Sequence, residues 1–168
     1  MVADRLTRAI RFLENNGIPF ERYDHPAVFT VEEATQSVDI PRGQRTKNLF
    51  VRDKRGRRHI LIVVPFDKEV DLMALGAKTG LGRVSFASER RLLDRLDVEP
   101  GSVTLMGVIN DPEGAVEVII DSAVWEADHV RCHPLVNTCT VVLEKAGIRR
   151  MFELTKHSPT IMEVPSKC

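Results

Sequence analysis

The run His-Ile-Leu-Ile-Val-Val-Pro at 59–65 is almost continuously apolar and rich in β-branched residues. A half-buried strand alternates apolar with polar residues, so a strand without alternation belongs in the middle of a sheet with both faces covered. Just before it, 48–52 reads as another strand, and Asp53-Lys54-Arg55-Gly56 supplies a charged turn. Together they predict a β-hairpin whose second strand is central.

The remaining segments supply what such a hairpin needs around it. Leu6, Ala9, Ile10 and Leu13 fall three and four apart and predict a helix over 3–16, stopped by Asn16-Gly17. A short extended piece at 18–23 ends at His25-Pro26. Thr30-Val31-Glu32-Glu33 has the form of a capping box and predicts a short helix to about Ser37. The polar loop 39–46 carries Arg42 and Arg45 and leads to Lys47 at the mouth of the first hairpin strand. Helices follow at 71–78, broken by Gly80-Leu81-Gly82, and from Ser88 to about Leu96, where the serine caps and Leu92, Leu93 and Leu96 form a stripe.

Pro100-Gly101 stands in type II turn order, and 105–109 reads as a strand with Gly107 inside it, the mark of a bulge or a close approach by another group. A turn at 110–114, a strand at 115–121, a helix at 144–155 ended by His157-Ser158-Pro159, and an edge strand at 160–164 complete the chain. Strands outnumber helices and come in hairpins. The expectation is one α+β domain over 1–168 with a mixed, mainly antiparallel sheet and flanking helices.

Composition narrows the function classes. Lys+Arg and Asp+Glu both total 24, so no overall field holds nucleic acid and any RNA partner needs a local basic patch. Aromatic residues make up 5%, too few for a stacking platform for single-stranded RNA. The charged N-terminal segment with Asp4, Arg5, Arg8 and Arg11 argues against a signal peptide or membrane span, and Cys132, Cys139 and Cys168 have no framework spacing. Reduced thiols in a cytoplasm are the simpler expectation. No phosphate-binding glycine loop, dinucleotide fingerprint or nucleophile elbow is present.

The chemistry concentrates at 130–142, where β-rich sequence is interrupted by Pro134 and by His133, Asn137, Thr138 and Thr140. Buried polar groups need partners, so this reads as strand, polar turn, strand, with the turn receiving a polar ligand. His129, Cys132, His133 and Cys139 invite a zinc reading, but their spacing matches no paired arrangement. Cys132 and His133 are adjacent and point to opposite faces of a strand, against a thiol-imidazole pair. His133, His157 and Lys47 each have an ordinary structural reading: two satisfied histidines before prolines and a solvated lysine. The residues alone reach a polar pocket over a sheet and stop short of a reaction.

Set in order, Thr46-Lys47-Asn48-Leu49-Phe50-Val51-Arg52-Asp53-Lys54, then Glu99-Pro100-Gly101-Ser102-Val103-Thr104 with Gly107-Val108-Ile109-Asn110-Asp111, then His133-Pro134-Leu135-Val136-Asn137-Thr138 resemble the YbaK/prolyl-tRNA editing domain superfamily. Within it they are most similar to the free-standing, alanine-clearing branch (ProXp-ala, or PrdX). The resemblance spans nearly the whole chain and implies a trans-editing hydrolase for alanine wrongly esterified to proline tRNA, an error that a synthetase pocket shaped for proline cannot exclude by size. It implies no metal and no organic cofactor. Mischarged tRNA would be the partner, with a prolyl-tRNA synthetase as a second to be tested.

The resemblance makes Lys47 the residue most tied to activity, contacting a backbone phosphate or polarising the ester. Backbone N–H groups near Gly107 or the His133-Pro134 turn would hold the oxyanion, water would attack, and His133, Asn137, Thr138 and His157 would shape the amino-acid pocket. Arg42, Arg45, Arg55 and Arg57, in the densest basic run, are the expected tRNA contacts, against the alternative of a solvated hairpin tip. This chain departs from the family at Leu105-Met106-Gly107-Val108, where Pro-Phe-Gly-Leu is common, and at Lys156, which replaces the glycine before His157. Hydrolysis of Ser-, Thr- or Cys-charged tRNA, or non-catalytic binding of tRNA or synthetase, are the alternatives.

Overall fold

A computed structural model describes residues 2–27 and 39–167. The capping-box helix expected from Thr30 lies outside the described residues. The elements are α1 (Val2–Asn15), β1 (Phe20–Asp24), β2 (Thr46–Asp53), β3 (His59–Pro65), α2 (Leu72–Thr79), β4 (Val84–Phe86), α3 (Glu89–Leu96), a 3-10 helix (Leu105–Asn110), β5 (Glu117–Asp121), α4 (Ser122–Trp125), β6 (His129–Cys132), β7 (Cys139–Glu144), α5 (Lys145–Leu154) and β8 (Thr160–Met162).

β3 is central, as its composition requires: six of its residues are buried, and it runs between antiparallel β2 and parallel β5. The sheet order is β4-β2-β3-β5-β8, and a separate antiparallel sheet has the order β1-β7-β6. The single mixed sheet expected from the sequence is therefore two. They are stitched where Gln44 pairs with Val130 and where the Thr46 hydroxyl donates to the Arg131 carbonyl at 3.1 Å.

Side-chain alternation on β3 divides the interior. Leu61 and Val63 join Phe50, Leu92, Leu96, Leu135, Val136 and Cys139 in the larger core, under α1, α3, α5 and the three-stranded sheet. Ile60, Ile62 and Val64 turn to the other face, where Val51, Leu75 and Val164 form a smaller core under α2 and the C-terminal segment. Every residue of β2 is assigned to one of these faces by its position.

The helix boundaries follow the local chemistry. Asp71 caps α2 by accepting from the Ala74 N–H, Gly80 ends it at φ 75°, and Ser88 caps α3 by accepting from the Arg91 N–H. The strand expected at 105–109 is instead the 3-10 helix. Its apolar residues are buried on consecutive positions, Thr104 caps it through the Met106 N–H, and the Gly107 N–H donates to the Thr104 carbonyl at 2.9 Å. A short apolar run carries no period that separates these two outcomes.

Lys156 explains one departure from the family pattern. It holds φ 63° just past α5, where its N–H donates to the Glu153 carbonyl and the His157 N–H donates to the Phe152 carbonyl. These paired bonds close a helix and favour glycine at that position. Lys156→Gly is expected to stabilise the fold by about 0.5–1 kcal/mol, read as a higher denaturant midpoint with an unchanged slope. An unchanged or lower midpoint would mean that the left-handed lysine carries no strain.

Candidate functional site

The segment between β6 and β7 is a tight bend held from several sides. The His133 carbonyl accepts from the Thr104 hydroxyl at 2.6 Å and from the Leu135 N–H at 2.9 Å, so the chain folds back across Pro134. Leu135 then sits at φ 68°, a conformation that costs a leucine about 1–2 kcal/mol. It is 1% exposed and Val136 is 3% exposed. Burying those two side chains contributes about 1.5–3 kcal/mol each, which outweighs the strain. The bend is thus anchored by its apolar middle while His133, Asn137 and Thr138 remain only partly covered.

His133 is set in one form. Its ring Nδ1 lies 3.2 Å from the Cys139 carbonyl, which can only accept, so Nδ1 carries the proton and Nε2 presents a lone pair. Among the described residues no group takes up Nε2. Burial lowers the His133 pKa, only partly opposed by the Cys139 bond, and nearby His25 lowers it further. The imidazole is therefore neutral at physiological pH, a state suited to accepting a hydrogen bond or a proton.

His25, which the sequence offered only as a strand terminator, belongs to this site. Its N–H donates to the Thr138 carbonyl at 3.0 Å, its Nδ1 is 2.8 Å from the Pro26 carbonyl and its Nε2 is 2.8 Å from the Thr140 hydroxyl. Its ring stands edge-on to that of His133 at 6.4 Å between centroids. Asn48 was also missed. It shares a face of β2 with Thr46 and Phe50, which is the face of the bend, and its Oδ1 is buried without a partner among the described residues. Strand alternation after Lys47 is the signal that could have found it.

Lys47 takes the face of β2 away from the bend. On β2 it alternates with Thr46 and Asn48 and lines an open groove with Leu49, Val70, Met73, Phe86 and Lys167, on the α2 face of the sheet. Among the described residues, the groove that Lys47 lines includes no residue of the bend, although both lie at the same end of β2. Gly107 is corrected as well. Its N–H is taken up by Thr104, and a Cβ there would lie 3.2 Å from Leu96, so the glycine serves close packing of the 3-10 helix on α3 and not an oxyanion.

His157 is buried away from the bend. Its Nε2 is 2.9 Å from Asp111 Oδ2 and its Nδ1 is 2.8 Å from the Thr155 hydroxyl, while Asp111 also accepts the Ala115 and Val116 N–H groups. Asp111 and Thr104 cap opposite ends of the 3-10 helix, about 14 Å apart at its rise per residue. The expected role of His157 in shaping the amino-acid pocket is replaced by a structural one.

The four expected arginines separate. Arg42 pairs with Glu21 at 3.3 Å and the Arg45 guanidinium lies 4.0 Å over the Phe66 ring, near the start of β2. Arg55 and Arg57 are exposed at the hairpin tip, roughly 24 Å away by strand rise. Both thiols are inert at neutral pH: burial pushes Cys139 up to about 11 and Cys132 higher still. Among the described residues no group of three or more His, Cys, Asp or Glu side chains could hold a metal ion, and no helix is long and apolar enough to cross a membrane.

Residues 25–151 match the model of the aminoacyl-tRNA editing domain. The prolyl-tRNA editing protein ProX of Acetoanaerobium sticklandii is 36% identical over 154 residues, covering 91% of this chain and 93% of that protein. The prolyl-tRNA synthetase associated domain-containing protein 1 of Danio rerio is 36% identical over 153 residues, covering 90% and 83%. A solved structure described as a candidate trans-editing enzyme for prolyl tRNA synthetase superposes with a TM-score of 0.68 at 18% identity over 96% of this chain and 98% of that one, a likeness of fold.

Since His157 holds Asp111 rather than a ligand, His157→Ala is expected to cost about 2–4 kcal/mol of stability by leaving a buried carboxylate short of a partner. Selectivity among amino acids should persist wherever the variant stays folded. Unchanged stability with altered selectivity would return His157 to the pocket.

Proposed function

This chain belongs to the aminoacyl-tRNA editing domain family, whose reaction is hydrolysis of an aminoacyl ester, and on that premise we propose that it clears alanine from mischarged proline tRNA in trans. The observation that carries this reading is the neutral His133 on a rigid bend, with Nε2 unengaged among the described residues. Water attacking the ester carbonyl must lose a proton as the carbon–oxygen bond forms, and Nε2 is a base of the right kind to accept it. The departing terminal ribose oxygen then recovers a proton, and its neighbouring hydroxyl orients the water.

The amino acid's ammonium needs acceptors. Asn48 Oδ1, an unpartnered acceptor on the same face, takes one of its N–H groups, with Asn137 and Thr138 closing the pocket. Backbone N–H groups past Leu135 are the donors assigned to the oxyanion. Lys47, on the other face, is assigned to a phosphate of the terminal nucleotides and not to the ester. Selection against proline is by size, because a pocket bounded by this anchored bend does not widen cheaply. The relative named as a prolyl-tRNA editing protein supports the choice of proline tRNA, and the synthetase-associated relative supports a synthetase as a second partner.

The test is deacylation of proline tRNA charged with alanine, serine, threonine, cysteine or proline. Alanine should be released fastest and proline spared; release of proline, or of none, defeats the reading. His133→Ala should lower kcat by about 10²–10⁴, whereas Lys47→Ala should mainly raise KM and reduce the salt slope of binding by about one counterion. Loss of kcat alone in Lys47→Ala would move the lysine back to the ester. Because burial holds the His133 pKa below its ordinary value near 6.5, kcat should stay level as pH falls from 8 through 6.5 and drop only below that. A fall beginning above pH 7 would assign the base elsewhere.

A further inference from the structure

The hairpin tip does not stand alone. Arg91 of α3 reaches across to donate to the Gly56 carbonyl at 2.9 Å, and the same nitrogen lies 2.9 Å from His59 Nε2. Gly56 sits at φ 69°, and a Cβ there would lie 2.8 Å from that guanidinium. The arginine therefore clamps the turn to the helix at a fixed spacing. Desolvation lowers the pKa of His59, and the charges of Arg95 and Arg91 lower it further, so Arg95 faces the same point.

The clamp assembles cations from two elements. Lys54, Arg55 and Arg57 of the tip and Arg95 of α3 are exposed and make no ion pair among the described residues. Arg90 is 91% exposed, and its contact with Asp94 at 3.8 Å is an exposed pair worth little. Of the nearby acids, Asp53 accepts the Arg57 and Arg58 N–H groups and Glu117 holds Arg58 through two bonds of 2.8 and 2.6 Å, so Glu89 and Asp94 of α3 are the exposed carboxylates set against Lys54, Arg55, Arg57, Arg90 and Arg95. In a chain with equal numbers of acidic and basic residues, this face is a local positive surface.

Its position says what it suits. α3 packs through Leu92 and Leu96 into the same core as Leu135 and Val136, so the surface lies on the bend's side of the sheet, with its hairpin tip roughly 24 Å along β2 from the strand end beside the bend. Exposed arginines of the tip, at that remove from the ester, cannot touch the aminoacyl group. We propose that α3 and the hairpin tip together grip the phosphate backbone of the paired acceptor stem, a reading that rests on the tRNA substrate proposed above. Arg90 and Arg95 are its new contacts, and Arg91 is the positioning residue that keeps helix and tip in register.

The experiment is binding of uncharged proline tRNA to the full chain at several salt concentrations, which does not depend on hydrolysis. Arg90→Gln/Arg95→Gln should lower the salt slope by about two phosphate contacts' worth and weaken binding severalfold at low salt. Arg11→Gln/Arg150→Gln, which changes net charge equally at exposed positions on α1 and α5, should leave the slope unaltered. The effect should persist on tRNA trimmed of its unpaired 3′ end. An unchanged slope in the α3 variant, an equal fall in the control, or loss of the effect on trimmed tRNA overturns the proposal. Failure of the ester-hydrolysis reading would instead show in the mischarged panel while these slopes still differed.

Discussion

β3 has no solvent face, and this constraint orders the rest of the molecule. A strand buried on both sides needs a layer on each, and the chain supplies a large core under α1, α3, α5 and the three-stranded sheet and a small one under α2. Its partner β2 then becomes a divider. Thr46, Asn48 and Phe50 look toward the bend, while Lys47 and Leu49 look toward α2. Neighbours in sequence are separated by the thickness of a sheet, and their chemistry must be read face by face.

The bend is the converse case, where distant parts of the chain converge. Thr104, Cys139 and the His25 backbone hold its ends, while Leu135 and Val136 anchor its middle in the core. Strain at Leu135 is tolerated because the buried side chains on either side of the turn contribute more than it costs. The product is a histidine with one proton placement and, among the described residues, one open nitrogen. Preorganisation of this kind lets a weak base act without first being reoriented.

Much of the fold was legible in the residues. The unalternating 59–65 run announced a central strand, Asp71 and Ser88 announced helix starts, and the polar interruption at 133–138 announced a turn between strands. The 3-10 helix was not legible, because Leu-Met-Gly-Val-Ile is equally suited to a buried strand. Nor was the division into two sheets, which depends on pairing between β1 and β7, more than a hundred residues apart. At the site, His133 was visible from its neighbours, but His25 and Asn48 enter through tertiary placement. The family pattern ties Lys47 to a phosphate or to the ester, and the parity of β2 puts it on the face away from the bend. Lys156 shows a reverse case, where the residue departs from the pattern but the backbone keeps the glycine-like conformation.

In the proposed reaction a neutral His133, protonated on Nδ1, meets the aminoacyl end of the substrate. Nitrogen NMR of the imidazoles, recorded with and without a non-hydrolysable 3′-alanylamido adenosine, reads this out at the histidine itself. The expected result is an Nδ1–H tautomer for His133 that resists protonation at pH 6.5, with the Nε2 resonance shifting on addition of the analogue. An Nε2–H tautomer, or an analogue that perturbs Leu49, Met73 and Phe86 around Lys47 while leaving His133 unmoved, would contradict it.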